Sequence, residues 1–120
     1  MSNNKESKSE ISTDLKYIKE AEMYQKIISD DSITQEELAE RLGKSQSTIA
    51  NKLRLLNLSP AVICKLAEYG LKERHARALV RIKDENLQLQ AVNLVFEKKL
   101  NVPKTEDFVE KVLQKQKASS

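Results

Sequence analysis

Apolar residues recur along this chain at the spacing of α-helices, and no stretch alternates in the manner of a β-strand. Ile18, Ala21 and Tyr24 begin a stripe that predicts a first helix over roughly 16–29, which the polar sequence DDSI is expected to break. The same periodicity predicts an all-α fold, a compact bundle of about seven short helices with tight turns. The later helices are expected to start near residues 34, 45, 59, 72, 84 and 101.

Capping residues stand where these stripes begin and end. Thr34 and Glu37 have the spacing of a capping box, in which each side chain accepts a hydrogen bond from the other residue's backbone N–H. Gly43 is placed to end that helix in a left-handed turn, which glycine adopts without strain. Lys72, by contrast, is a poor cap for the helix expected over about 72–82. Further capping candidates are Ser45, Ser59 and Asp84 at helix starts and Gly70 at a helix end.

The stretch 34–56 has the spacing of a helix-turn-helix. Ala39 is small where two helices would cross, Gly43 lies in the turn, and Ile49 would anchor the second helix in the core. Since cap residues on both helices agree with this register, the sequence predicts a helix-turn-helix within the all-α bundle.

The second helix of this motif separates an apolar stripe from a polar face. With Ile49 at zero and about 100° per residue, Leu53 and Leu56 fall within roughly 40° of it. The opposite face carries hydroxyl, amide and guanidinium groups, which suit base edges and phosphate oxygens. At the helix N-terminus, residues 44–46 would meet phosphate and the first bases. We therefore expect this helix to lie in a DNA major groove. The polar face consists of Ser47, Thr48, Asn51 and Arg54.

Acidic residues are missing from the region around this helix. No Asp or Glu occurs from Arg41 to Ala67, although the chain has 18 acidic residues among 120 and the preceding helix contains QEELAE. An acid-free helix face can also be a merely solvated one. The preceding helix, however, carries glutamates at positions expected to be exposed. The absence of acids from the second helix therefore favours its contact with a polyanion.

A second basic cluster lies in KERHARALVRIK, residues 72–83. Arg74, Arg77 and Arg81 are spaced to share one helix face, while Leu79 and Ile82 can supply the core side. The cluster is expected to add a second DNA contact; its alternative interpretation is a solvated basic face. His75 is the only histidine, and no second His or Cys stands at metal-ligand spacing.

Composition limits the class of protein. No apolar run approaches the length of a membrane span, and the N-terminal sequence has no apolar signal region. The single Cys64 lies in an apolar helix, where we expect its thiol to be buried. A lone cysteine also fits a protein of the reducing cytoplasm. We expect a disordered tail or cloning remnant over 1–12, one DNA-binding domain over 13–116, and a disordered tail over 117–120.

These segments together resemble the ParB/Noc family of bacterial centromere-binding and nucleoid occlusion proteins. The resemblance rests on EAEMYQKII, TQEELAERLGKSQSTIANKLRLLNLS, ERHARAL and LNVPKTEDFVEKVL, and it covers about 14–113. It implies a ParB/KorB-type DNA-binding domain that binds double-stranded DNA with an inverted-repeat site as a homodimer. It also implies a cytoplasmic, nucleoid-associated protein, with no cofactor, no small-molecule substrate and no membrane contact for this part of the chain.

The resemblance implies particular DNA contacts and a subclass. Partition-type members tend to carry Arg, a small polar residue and Gly where this chain has Gln46, Lys52 and Arg74, so the nucleoid occlusion type is favoured. Asn57 departs from the nucleoid occlusion type, which usually has Lys at this position. These four residues are the expected specificity set. The implied DNA-binding residues are Gln35, Lys44, Ser45, Gln46, Ser47, Thr48, Asn51, Lys52, Arg54, Asn57, Arg74, His75 and Arg77.

Other functions fit the sequence less well. A partition protein on a centromere-like site is the alternative within the same chemistry. A protein-interaction module would be expected to expose an aromatic or Met-rich patch, which the pattern does not indicate. We do not expect an enzyme, because no nucleophile or base has an orienting partner, and nothing in residues 1–33 resembles the family's CTP-binding domain.

Overall fold

The computed structural model describes residues 15–119, with the side chains of residues 15–117. These residues contain seven α-helices and no strand, which confirms the all-α prediction. The expected tail over 1–12 lies outside the described residues. The chain divides into two units, the first ending at Asn57 and the second beginning at Leu58.

The first unit holds three helices and a short 3₁₀ turn. They are α1 (Lys16–Asp31), α2 (Gln35–Leu42), α3 (Gln46–Arg54) and the turn Leu55–Asn57. The first helix continues through both aspartates of DDSI, which was expected to break it, and it ends at Ser32 with a φ of 53°. The helix boundary therefore lies two residues later than the sequence pattern suggested.

Helices α1, α2 and α3 share one apolar core. Tyr24, Leu38, Ala39 and Ile49 are buried together, and Leu53 packs against them. The prediction that Ala39 marks the crossing and Ile49 the anchor is confirmed by this burial. Further partly buried side chains on the cluster are Ile27, Ile28 and Ile33.

The prediction that Leu56 lies on the buried stripe of α3 was wrong. Leu56 was placed on the buried face by continuing the α3 helix beyond Arg54, but α3 ends there and a 3₁₀ turn follows. A 3₁₀ turn advances by three residues per turn instead of 3.6, so the next side chain to face inward shifts. Leu55 is consequently fully buried, and Leu56 is only partly buried.

The second unit holds four helices. They are α4 (Pro60–Tyr69), α5 (Glu73–Leu79), α6 (Glu85–Glu97) and α7 (Val102–Ser119). The predicted caps Ser59 and Asp84 each accept a hydrogen bond from a backbone N–H three residues on. Helix α7 enters the stretch 117–120 for which a disordered tail is expected.

Buried side chains from all four helices line the second unit. Leu66, Leu79, Val92 and Val109, one from each helix, are fully buried. Gln88 joins three segments, since its amide nitrogen donates to the carbonyl of Ile82 at 2.7 Å and its amide oxygen accepts from the N–H of Ser59 at 3.0 Å. The buried polar side chain thus pairs backbone groups where the chain enters α4 and α6.

The prediction of a buried thiol at Cys64 was wrong. Val62 and Leu66 form the buried stripe of α4, and both are fully buried. Cys64 lies midway between them in sequence, which on a helix of about 100° per residue places it on the opposite face. Its side chain is exposed.

Candidate nucleic-acid interface

Local hydrogen bonds hold the turn between α2 and α3 in one geometry. Thr34 and Glu37 form the predicted reciprocal capping box, with distances of 3.0 and 2.9 Å. Gly43 has a φ of 66°, and the N–H of Lys44 reaches back to the carbonyl of Ala39 at 2.9 Å. The end of α2 therefore directs the chain into α3 without strain, because glycine occupies the left-handed position.

The N-terminus of α3 is capped and exposed. Ser45 accepts a hydrogen bond from the N–H of Thr48 at 3.1 Å, and their two hydroxyls lie 2.8 Å apart. Lys44 and Gln46 on either side of the cap are exposed. This end of α3 presents a positive side chain, a polar amide and the positive pole of the helix dipole to solvent, a combination that favours an anion.

The outer face of α3 presents polar groups and no acid. Ser47 and Thr48 are exposed, and Asn51 is partly buried. Arg54 is exposed and donates from Nη1 to Oδ1 of Asn51 at 3.0 Å. This contact orders the guanidinium and occupies the acceptor oxygen of Asn51, so it does not use the amide's N–H donors. We call Ser47, Thr48, Asn51 and Arg54 the recognition face.

Two more of the predicted DNA-binding residues in this unit are exposed. Gln35 is the first residue of α2, and Asn57 is the last residue of the 3₁₀ turn. Both residues are exposed to solvent.

Lys52 has a different environment from the other basic side chains of the stretch. Its Nζ lies 2.8 Å from Oε1 of Glu20 on α1, and its side chain is 11% exposed. The hydrogen bond from Lys52 is the main cause that lowers the pKa of Glu20 below its usual value, and the charge of Lys44 lowers it further. Glu20 is a functional candidate that the sequence did not indicate, because it lies 32 residues from its partner.

The second basic cluster is smaller than the sequence suggested. Arg74 and Arg77 are exposed on α5, as predicted. Helix α5 ends at Leu79, so Arg81 does not continue the same face, and its Nη2 pairs with Glu110 of α7 at 3.0 Å. The exposed guanidinium groups on this helix therefore come from Arg74 and Arg77.

His75, one of the predicted DNA-binding residues, is buried in the second unit, with 7% of the residue exposed. Nδ1 accepts from the backbone N–H of Lys72 at 3.1 Å, so the ring proton lies on Nε2, which faces the carbonyl of Leu100 at 3.1 Å. His75 thereby caps the start of α5 in place of the weak Lys72 side chain.

In residues 15–119, no group of three or more His, Cys, Asp or Glu side chains is arranged to hold a metal ion. None of the helices there combines the length and apolar content needed to cross a membrane.

Comparison with known proteins yields one matching sequence family, the ParB HTH domain, over residues 13–114. Nucleoid occlusion proteins of Bacillus thuringiensis (strain Al Hakam) and Bacillus cereus (strain B4264) are 51% identical over 104 residues, which is 87% of this chain. The chain spans only 36% of the length of these curated relatives.

A solved structure has a similar fold. It is the crystal structure of the C-terminally truncated chromosome-partitioning protein ParB from Caulobacter crescentus complexed to the centromeric parS site. It matches with a TM-score of 0.71 and 32% identity, covering 84% of this chain and 53% of that one. The sequence resemblance and the fold comparison thus agree.

Proposed function

Because the chain belongs to the ParB HTH-domain family, we propose that it binds double-stranded DNA at a specific sequence through its helix-turn-helix. The observation that carries this proposal is the recognition face on a capped, exposed α3. Ordered Asn51 and Arg54 side chains offer donors that match adenine and guanine edges in the major groove. The solved relative is described as complexed to a DNA site, which supports this role.

Different parts of the chain take different roles in this proposal. Lys44 and the amino end of α3 contact phosphate, which positions the helix, and the recognition face reads bases. Arg74 and Arg77 on α5 supply further contacts from the second unit. Lys52 pairs with Glu20, and His75 is buried, so no separate role is assigned to either side chain here. No catalytic step is assigned to the chain.

We propose the nucleoid occlusion subclass for its target site. Two nucleoid occlusion proteins share 51% identity with this chain, whereas the ParB of known structure shares 32%. Gln46, Lys52 and Arg74 fit the same subclass, while Asn57 departs from it. A partition-type site is the alternative, and the ParB–parS complex supports it.

The partners and location follow from the same family membership. We propose that two copies bind an inverted repeat, one on each half-site, and that the protein acts at the bacterial nucleoid. Symmetry supports this arrangement, since an inverted repeat matches the two-fold axis of a homodimer.

A pair of alanine substitutions tests the division between base and phosphate contacts. Asn51→Ala should weaken binding to the specific duplex by about 1–3 kcal/mol and leave binding to random DNA nearly unchanged. Lys44→Ala should weaken both duplexes alike and lower the salt slope by about one. Fluorescence anisotropy at several salt concentrations measures both. Equal loss on both duplexes for Asn51→Ala would remove this residue from base recognition.

Ser29→Ala serves as the control. Ser29 is exposed near the end of α1, away in sequence from the recognition face, and it carries no charge. Its substitution should change neither the affinity for the specific duplex nor the salt slope.

A further inference from the structure

An exposed aromatic ring lies near the end of α6 in the second unit. Phe96 is 47% exposed, and it lines a cavity of about 310 Å³ together with the apolar side chains of Val95, Leu100 and Val102. A single exposed apolar side chain is ordinary, but an exposed ring inside an apolar concavity is typical of a binding surface. The volume lies at the lower end of the range of about 300–1,000 Å³ in which proteins bind ligands. We call this cavity the Phe96 groove.

The ring of Phe96 is held in place by its neighbours. It stacks on Tyr69 of α4, with the ring centroids 3.9 Å apart and the planes inclined by 7°. The Tyr69 hydroxyl in turn donates to Oδ1 of Asn93 on α6 at 2.7 Å. Because α4 and α6 fix the ring jointly, little side-chain entropy remains to be lost when a ligand contacts it.

His75 fixes another part of the lining. One of its ring nitrogens lies 3.1 Å from the backbone nitrogen of Lys72, and the other lies 3.1 Å from the carbonyl oxygen of Leu100. All three residues line the groove. The start of α5 and the segment before α7 are therefore joined before any ligand arrives, which lowers the cost of binding.

The charge of the groove is positive. Lys72 and Lys99 line it, and both are exposed. Among the described residues of the lining none is acidic, and the acids nearest in sequence, Glu73 and Glu97, are not part of it. Val102, the first residue of α7, also lines the groove, so the positive pole of that helix adjoins it. The groove thus combines an apolar surface with a preference for anions.

We propose that the Phe96 groove is a docking site for a short acidic segment of a partner protein. The segment inserts an apolar side chain against Phe96 and brings carboxylates to Lys72 and Lys99. This role is separate from DNA binding by the recognition face. A peptide fits better than a phosphate backbone, because phosphates would leave the apolar lining without a partner. Protein interfaces commonly combine an aromatic or aliphatic anchor in a pocket with a polar rim of complementary charge.

The test is fluorescence anisotropy of fluorescein-labelled synthetic peptides with the 120-residue chain. The peptides carry Leu, Ile or Phe between runs of Asp and Glu. In one matched control peptide Ser replaces the apolar residue, and in a second Asn and Gln replace the acids. The acidic peptides with an apolar residue should bind at least about tenfold more tightly than either control.

Two pairs of variants locate the bound peptide. Lys99→Glu should weaken its binding about tenfold or more by placing like charges together, whereas Lys98→Glu, at an exposed neighbour outside the lining, should change it less than about threefold. Phe96→Ala should also weaken binding about tenfold. Met23→Ala, which truncates a side chain that is 54% exposed on α1, should have no effect. Circular dichroism confirms that the compared proteins are folded.

Three results would overturn the inference. The first is a failure of every acidic peptide to bind, or binding that Lys99→Glu and Lys98→Glu affect equally. The second is a weaker salt dependence of DNA binding in Lys99→Glu than in Lys98→Glu, which would make the groove a phosphate contact. The third is a dimer in sedimentation velocity that Phe96→Ala abolishes, since a second copy would then cover the groove. The proposed DNA-binding role stands in each case, because binding of the specific duplex is measured separately.

Discussion

Individual buried polar side chains have opposite effects in the second unit. Gln88 and His75 each pair with backbone groups that would otherwise lie unsatisfied near the ends of helices. Thr105 is fully buried on α7, and its hydroxyl has no hydrogen-bond partner among the described residues. The first two side chains stabilise the fold, whereas the threonine hydroxyl gives up its hydrogen bonds to water without replacement.

Thr105→Val should therefore stabilise the protein. Valine has nearly the same shape and the same branching at Cβ, and it removes the unsatisfied hydroxyl. We expect the free energy of unfolding to rise by about 1 kcal/mol. Urea denaturation followed by circular dichroism measures the change.

Thr34→Val is the matched control for that substitution. Thr34 is exposed, and its hydroxyl caps α2 by accepting from the N–H of Glu37 at 3.0 Å. Loss of this cap should lower the free energy of unfolding by about 1 kcal/mol. A destabilising Thr105→Val would show that the buried hydroxyl is satisfied in solution.

The sequence predicted single residues well where the helix register was clear. Ile49 and Ala39 are buried as expected, because the α-helical period places them on the inner face. Leu56 was predicted to be buried in place of Leu55, because a 3₁₀ turn follows α3 and hydrophobic periodicity does not indicate such a turn. Cys64 was wrongly predicted to be buried, because apolar neighbours in sequence do not determine which face of a helix a residue occupies.

At the level of helices, four C-terminal ends share one hydrogen-bond arrangement. In each, an N–H just past the helix bonds the carbonyl five residues earlier, at 2.9–3.2 Å, around a residue in the left-handed conformation. Glycine occupies two of these positions, and Ser32 and Lys99, each with a φ of 53°, occupy the others. A side chain with a Cβ is strained in that conformation. The glycine positions are Gly43 and Gly70.

Lys99→Gly should consequently raise the free energy of unfolding by about 0.5–1 kcal/mol, since relief of the left-handed strain exceeds the added entropy of the unfolded chain. The control is Lys98→Gly, because Lys98 has a negative φ of −91° and gains nothing from glycine. That variant should be neutral or destabilising. Thermal and urea denaturation measure the stability of both variants. A Lys98→Gly variant more stable than Lys99→Gly would contradict strain at Lys99.

Helix starts were predicted more accurately than helix ends and contacts between helices. The caps Thr34, Ser45 and Asp84 act on N–H groups three residues away, so the information is local and visible in the sequence. The left-handed ends at Ser32 and Lys99 carry no glycine and were missed. The pair of Glu20 with Lys52 depends on how α1 packs against α3, which residue spacing does not reveal.

For the molecule as a whole, the arrangement of charge matters more than its total. The formal net charge is only +3, yet the stretch from Arg41 to Ala67 has no acidic residue. In the first unit, two acidic residues of α1 form ion pairs with cations of that stretch. Asp31 Oδ2 lies 2.7 Å from Arg41 Nη1, and Glu20 pairs with Lys52. The recognition face and the exposed Lys44 remain available for the polyanion that we propose as the ligand.

The membership of the ParB HTH-domain family was correctly inferred from the sequence, because the motif and the helices around it were considered together. The direct DNA contacts stay predictions. His75 lies within a basic segment, and only the fold shows that its ring is buried against the start of α5 and the carbonyl of Leu100. A basic sequence neighbourhood alone does not establish which side chains reach DNA.

The most direct test of the central claim is fluorescence anisotropy of the chain on three duplexes at two salt concentrations. The duplexes carry a nucleoid-occlusion-type palindrome, a partition-type palindrome and a scrambled sequence. We expect preference for the first, and that preference should persist at the higher salt, because base contacts discriminate after phosphate contacts have weakened. Preference for the second would retain DNA recognition and overturn the subclass. Equal binding to all three would contradict sequence-specific recognition by α3.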